Sequence, residues 1–146
     1  MGSVRAAGAG RPKSGLAVGD PNIKGKPHCP KELLNDDKYA IDAWHSNLEV
    51  MFERGSFSTE DIPHLINYCN SIGKVIKIEK QLAQMEEFTD VTASGGLKLH
   101  PLVNAHNIFT NQSLKLAAQL GLTPMARARM ISGGKGEEGE GEFDEF

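Results

Sequence analysis

Between Asp90 and Glu137 the chain has no carboxylate at all, although Asp and Glu number 19 against 16 Lys and Arg and the formal net charge is −3. An acidic chain does not scatter such a gap at random. It marks residues 95–130 as a surface suited to an anion or to another subunit. Long apolar runs are also missing. Nothing approaches the ~18 consecutive apolar residues of a transmembrane helix, so no membrane contact is expected. The first residues lack the apolar core of a secretory signal, and Ala6 stands where myristoylation needs Ser or Thr. With only Cys29 and Cys69, a disulfide framework is excluded. Both read as reduced thiols of a cytoplasmic protein.

Catalytic signatures are absent too. A phosphate loop requires Ser or Thr after its Gly-Lys pair, and Gly73-Lys74 is followed by Val75. Neither G-x-S-x-G nor H-E-x-x-H occurs. The five histidines are scattered, and His28-Cys29 with His64 and Cys69 lack the spacing of a zinc site. No carboxylate pair stands out from ordinary helix-surface charge. The expectation is a protein that is not an enzyme, with no catalytic residue, no metal and no cofactor.

What is present is charge separated along the chain. Arg5, Arg11, Lys13, Lys24, Lys26 and Lys31 face one acid, Asp20, in the first 31 residues. At the other end Glu137, Glu138, Glu140, Glu142, Asp144 and Glu145 face one base, Lys135. This asymmetry points to nucleic acid at one end and a different partner at the other. Residues 1–26, rich in Gly and Pro without helical period, are expected to be a disordered basic arm. Residues 133–146 are expected to be a disordered acidic tail. A folded domain over 27–132 lies between them.

Three long helical patterns fill that domain. Ile41, Trp44, Leu48, Met51 and Phe52 recur at helical spacing and predict helix 1 over about 36–54, entered at Asp36-Asp37 and stopped by Gly55. Helix 2, about 60–87, has one apolar stripe through Ile62, Leu65, Ile66, Cys69, Ile72, Ile76 and Ala83. A second runs through Tyr68, Val75, Ile78, Leu82 and Met85. Two stripes mean two packing surfaces. A helix of about 40 Å is long for so small a domain, so either it breaks near Ser71-Ile72-Gly73 or part of it packs on another subunit. Phe88–Thr92 and Leu97–Leu99 flank a small-residue turn and predict a short β-hairpin. Helix 3, from Pro101 to about 120, has Leu102, Ala105, Phe109, Leu116, Ala117 and Leu120 on its buried face and a polar stripe of Asn104, Asn107, Asn111 and Lys115. Helix 4 starts at Thr123-Pro124, a cap followed by a first-turn proline.

The basic residues are the candidate nucleic-acid contacts. Gly10-Arg11-Pro12-Lys13 has the form of a short arm for an A·T minor groove, or is a generic basic tail; either binds phosphate in a salt-dependent way. Lys74, Lys77 and Lys80 recur every third residue on helix 2, as a DNA-facing stripe or as an ordinary solvated face. Arg127 and Arg129 point about 200° apart on a helix. One of them is therefore expected to hold an intrachain or intersubunit contact, such as a helix C-terminus or a carboxylate. Phe143 and Phe146 among acids read as a partner-docking segment or a solubilising tail.

Gly96-Leu97-Lys98-Leu99-His100-Pro101-Leu102, then Leu116 to Pro124 (LAAQLGLTP) and Ala126-Arg127-Ala128-Arg129, resemble the C-terminal signature of small terminase subunits from tailed bacteriophages. Upstream, Gly10–Lys13, Lys26-Pro27, Leu33 and Trp44 resemble the family's basic start and first helix. Asp61, Leu65 and Tyr68-Cys69 resemble its second. The resemblance spans about 10–131 and is tight over 96–130. It implies a non-catalytic DNA-packaging factor of the host cytoplasm, mainly α-helical, that binds double-stranded viral DNA at its packaging start. It also implies assembly into a homo-oligomeric ring, of roughly nine copies, and recruitment of the large ATPase-nuclease subunit. On this reading Arg11, Lys13, Lys24, Lys26, Lys74, Lys77, Lys80, Lys98, Lys115, Arg127 and Arg129 are candidates for DNA. Leu102, Phe109, Leu116 and Leu120 are candidates for the oligomer interface, and Glu142, Phe143 and Phe146 for large-subunit docking. The alternative is a dimeric helix-turn-helix transcriptional regulator built on helices 1 and 2. A recognition helix begins with Arg, Asn or Gln, whereas helix 2 begins Glu60-Asp61-Ile62-Pro63, which repels phosphate. A third reading is a structural adaptor without nucleic acid.

Overall fold

A computed structural model describes residues 25–134. The expected basic arm, apart from its last two residues, and the acidic tail beyond Gly134 lie outside the described residues. The chain is mainly helical: α1 (Lys38–Glu53), a 3-10 turn (Thr59–Asp61), α2 (Ile62–Leu82), strands β1 (Thr89–Val91) and β2 (Leu97–Leu99), α3 (Pro101–Gln119) and α4 (Pro124–Gly134).

Asp37 starts α1 by accepting the Tyr39 backbone N–H at 3.1 Å, which satisfies one of the orphan donors of a first turn. Gly55, at φ 61°, ends it, because the left-handed region is open to glycine at no steric cost. The buried face of α1 is Ala40, Trp44, Leu48 and Met51. These join Leu34, Phe57, Leu65, Cys69, Cys29 and Leu120 in one core. Before α1, the turn over residues 31–36 is tied to α2 where the Asn70 side chain donates to the Leu33 carbonyl at 2.9 Å.

Helix α2 begins after a capping contact in which the Ser58 N–H donates to Asp61 Oδ2 at 2.9 Å. It neither breaks near Ser71-Ile72-Gly73 nor turns its second stripe to solvent. It runs unbroken from Ile62 to Leu82 and packs α1 on one side and α3 on the other. The two stripes therefore serve two helices of the same chain. At the α1 crossing a Cβ on Gly73 would stand 2.6 Å from Asp37 Oδ2 and 3.3 Å from Ala40 Cβ, so the close approach requires glycine. The helix stops at Leu82, short of the expected 87. Tight turns follow at Gln84 and Met85, and the Glu86-Glu87 pair would oppose the negative end of the helix dipole.

The two strands pair antiparallel with Thr89 opposite Leu99, Asp90 opposite Lys98 and Val91 opposite Leu97, around a turn carried by Gly95 at φ 83°. His100 Nδ1 accepts the Leu102 N–H at 3.1 Å and Pro101 opens α3. Helix α3 meets α2 differently from its leucine pattern. Its most buried positions are Ser113, Ala117 and, just past its end, Leu120, whereas Leu102, Phe109 and Leu116 are half-buried. Small residues let the two helix axes come close. Gly121 at φ 69° turns the chain into α4, where Thr123 Oγ1 accepts the Ala126 N–H at 3.2 Å.

Cys29 and Cys69 are free and buried. Burial, helped by the nearby Cys29, pushes the Cys69 thiol from 9.0 up to about 12; burial also raises Tyr68. The folded protein thus keeps protons that the unfolded chain releases. This stability is fully present below about pH 9 and is lost as pH rises toward the folded value, at up to about 1.4 kcal/mol per pH unit for each group. Urea midpoints are expected to fall above about pH 9, and less steeply in Cys69→Ala. An unchanged slope in that variant would contradict the assignment.

Candidate functional site

The basic side chains of α2 are committed within their own protomer. Lys77 Nζ lies 2.7 Å from Asp37 Oδ2, a carboxylate only 9 % exposed. Lys80 stacks its ammonium 4.5 Å from the centre of the Tyr39 ring and hydrogen-bonds the Tyr39 hydroxyl. Lys74 lies 4.8 Å from the centre of the Phe109 ring. Two of the three heads thus bind α1 and the third binds α3, so they do not form one open stripe. All three residues are nonetheless exposed to solvent. Glu79 adds a second tie to α3 through His106 Nε2 at 2.9 Å.

The other candidates fall into separate groups. Arg11, Lys13 and Lys24 lie outside the described residues, as do Glu142, Phe143 and Phe146. Lys26 meets Glu49 Oε1 at 2.8 Å, and that hydrogen bond and charge hold the Glu49 carboxyl below its usual range. Lys98 is exposed on the hairpin and Lys115 on α3. Lys115 stands with Asn104, Asn107 and Asn111 on an exposed, amide-rich face free of carboxylates. Arg127 folds back and donates from Nη1 to the Leu122 carbonyl at 3.1 Å. It is the arginine that holds an intrachain contact just beyond α3. Arg129 stays exposed on the opposite side of α4.

Of the four residues expected at an oligomer interface, Leu120 is 3 % exposed and sits in the protomer's core. Phe109 lies under Lys74. The open apolar surface is elsewhere. Leu114 and Met125 are exposed and line a groove of about 990 Å³ between the Ser56–Asp61 segment, the end of α3 and α4. Ala118, Met130 and Arg129 complete one wall, and Ser58, Glu60 and Asp61 the other. The Ser58 hydroxyl hydrogen-bonds Glu60 and lowers its carboxyl below the usual range, so that rim is negative. The periodicity of α3 pointed away from Leu114, whose only signal was being a leucine out of phase with its buried neighbours.

Among the described residues no three His, Cys, Asp or Glu are grouped to hold a metal, and no helix is long and apolar enough to cross a membrane. The described residues present charged and apolar surfaces. The family described as phage terminase, small subunit, matches residues 40–137, about two thirds of the chain. The protein belongs to this family, which is non-catalytic and acts in DNA packaging. No curated protein and no solved structure matches the chain.

Lys77 provides a check on the internal use of the α2 lysines. Removing it leaves the Asp37 carboxylate largely buried without its cation. Lys77→Met is expected to lower unfolding stability by roughly 1 kcal/mol, read by urea denaturation, whether or not DNA is present. Unaltered stability would show that the lysine acts only on an external ligand.

Proposed function

We propose that the protein binds double-stranded viral DNA at the packaging start as a homo-oligomeric ring and brings the large ATPase-nuclease subunit to it. The observation that carries this reading is family membership over residues 40–137, combined with the carboxylate-free segment from Val91 to Gly136. Phosphate recognition needs donors without competing negative charge. The outer face of α3 supplies Asn104, Asn107, Asn111 and Lys115 in that condition. Lys98 and Arg129 extend the basic surface at its two ends.

The basic arm adds further phosphate contacts. Arg11, Lys13 and Lys24 engage the DNA backbone, with Lys26 at the edge of the folded domain. Lys74, Lys77 and Lys80, exposed although their heads are engaged, contribute where the ammonium is shared with phosphate. Arg127 acts mainly by fixing α4. The acidic tail, through Glu142, Phe143 and Phe146, docks the large subunit, because its charge excludes it from DNA. A helix-turn-helix regulator is disfavoured by the start of α2, where Glu60 and Asp61 precede the helix and oppose phosphate.

Two truncations separate these roles. Deleting residues 1–24 is expected to weaken DNA binding and to reduce the slope of log affinity against log salt by about 0.9 for each phosphate contact removed. An unchanged slope would reject the arm's role. Deleting residues 137–146 is expected to leave DNA binding intact and to lower stimulation of the large subunit. Full stimulation would remove the tail from the mechanism.

A further inference from the structure

The hairpin between α2 and α3 has an apolar face with nothing on it. Strand alternation places Val91, Leu97, Leu99 and Thr89 on one side and Asp90 and Lys98 on the other. Val91 is 69 % exposed, Leu97 75 % and Leu99 44 %. Among the described residues neither strand packs on a helix beyond marginal contact. A lone two-stranded ribbon is at best marginally stable in water, and aliphatic side chains gathered on one exposed face mark a contact surface. The groove at the far end of α3 is the second unfilled apolar surface, with Leu114 at 57 % and Met125 at 69 % exposure.

The geometry points to the hairpin of one copy seating its Val91–Leu97–Leu99 face in the α3–α4 groove of the next. The two surfaces cannot meet within one protomer. The hairpin leads into the start of α3 and the groove lies at its end, 19 residues away, or about 28 Å along the axis. A second copy carries the missing partner for both. The charges of the strands stay out of the contact, because Asp90 and Lys98 lie on the opposite side of the hairpin, and Glu86 and Glu87 at its exposed base are complementary in charge to Arg129 on the groove wall. The groove's 990 Å³ exceeds the bulk of three aliphatic side chains. Such a contact joins different patches of the two subunits and is therefore heterologous, the type that generates a ring when its rotation closes. This inference rests on the ring reading above and names the surfaces that build it.

The test uses the full chain in two exposed-residue variants. Leu97→Ser with Leu99→Ser disables the hairpin; Leu114→Gln with Met125→Gln disables the groove. None of these side chains belongs to the core, and circular dichroism confirms that each variant is folded. By native mass spectrometry each variant alone is expected to be a monomer. Their equimolar mixture is expected to form a dimer of one copy of each and to stop there, because one competent junction remains. As a second readout, a chain carrying Leu97→Cys and Met125→Cys is expected to form interchain disulfides under a mild oxidant, the native thiols being buried. A wild-type oligomer with variants that still assemble, or a mixture that stays monomeric without cross-links, overturns the docking alone. A monomeric wild type overturns the ring reading and the docking with it.

Discussion

The carboxylate of Asp37 is held from three sides, and the arrangement of the helices depends on it. One oxygen caps α1 at the Tyr39 N–H. The other pairs with Lys77 on α2, directly above Gly73, whose missing side chain makes room for it. A largely buried carboxylate is tolerable only when its hydrogen bonds and charge are met. The junction therefore fixes α1 against α2 at one register, with Trp44, Leu48 and Met51 turned into the core. Lys80 on the Tyr39 ring repeats the tie one turn further along.

With α1 locked to one side of α2, the other side is left for α3, and the molecule becomes two-ended. Lys74 over Phe109 and Glu79 with His106 hold that second seam. The hairpin projects from one end of the α2–α3 pair. At the other end, α4 folds back under Thr123 and Arg127 to leave an apolar groove. The outer face of α3 joins these ends with amides and a lysine and carries no acid. A protomer so organised has little to offer a small substrate and much to offer a polyanion and copies of itself, consistent with a non-catalytic packaging family.

The periodic and punctuating residues were legible in the chain. Asp37, Gly55, Pro101, Gly121 and Pro124 each act through local backbone geometry, so the ends of α1, the start and end of α3 and the start of α4 follow from them, as the hairpin turn follows from Gly95. The expected end of α2 was misplaced because the Glu86-Glu87 penalty at a helix terminus competes with an apolar stripe that continues to Met85. The role of the second stripe was ambiguous for a different reason: periodicity says that a face is buried but not by which chain. Similarly, Leu120 carries the same pattern as an interface leucine yet lies in the core. The lysines of α2 looked alike in sequence. Tertiary packing, through Asp37, Tyr39 and Phe109, made them structural ties. That Arg127 and Arg129 point in opposed directions follows from helix pitch alone, but which of them folds back on the chain, Arg127 onto the Leu122 carbonyl, did not.

The central claim is that this two-ended protomer closes on itself around a DNA-binding function. Electron-microscope class averages of the full chain, taken with native masses in the presence and absence of viral DNA, test it most directly. The account predicts closed rings of one subunit number that acquire DNA density when the packaging-start sequence is added. Monomers, open filaments, or rings indifferent to DNA at low salt would contradict it.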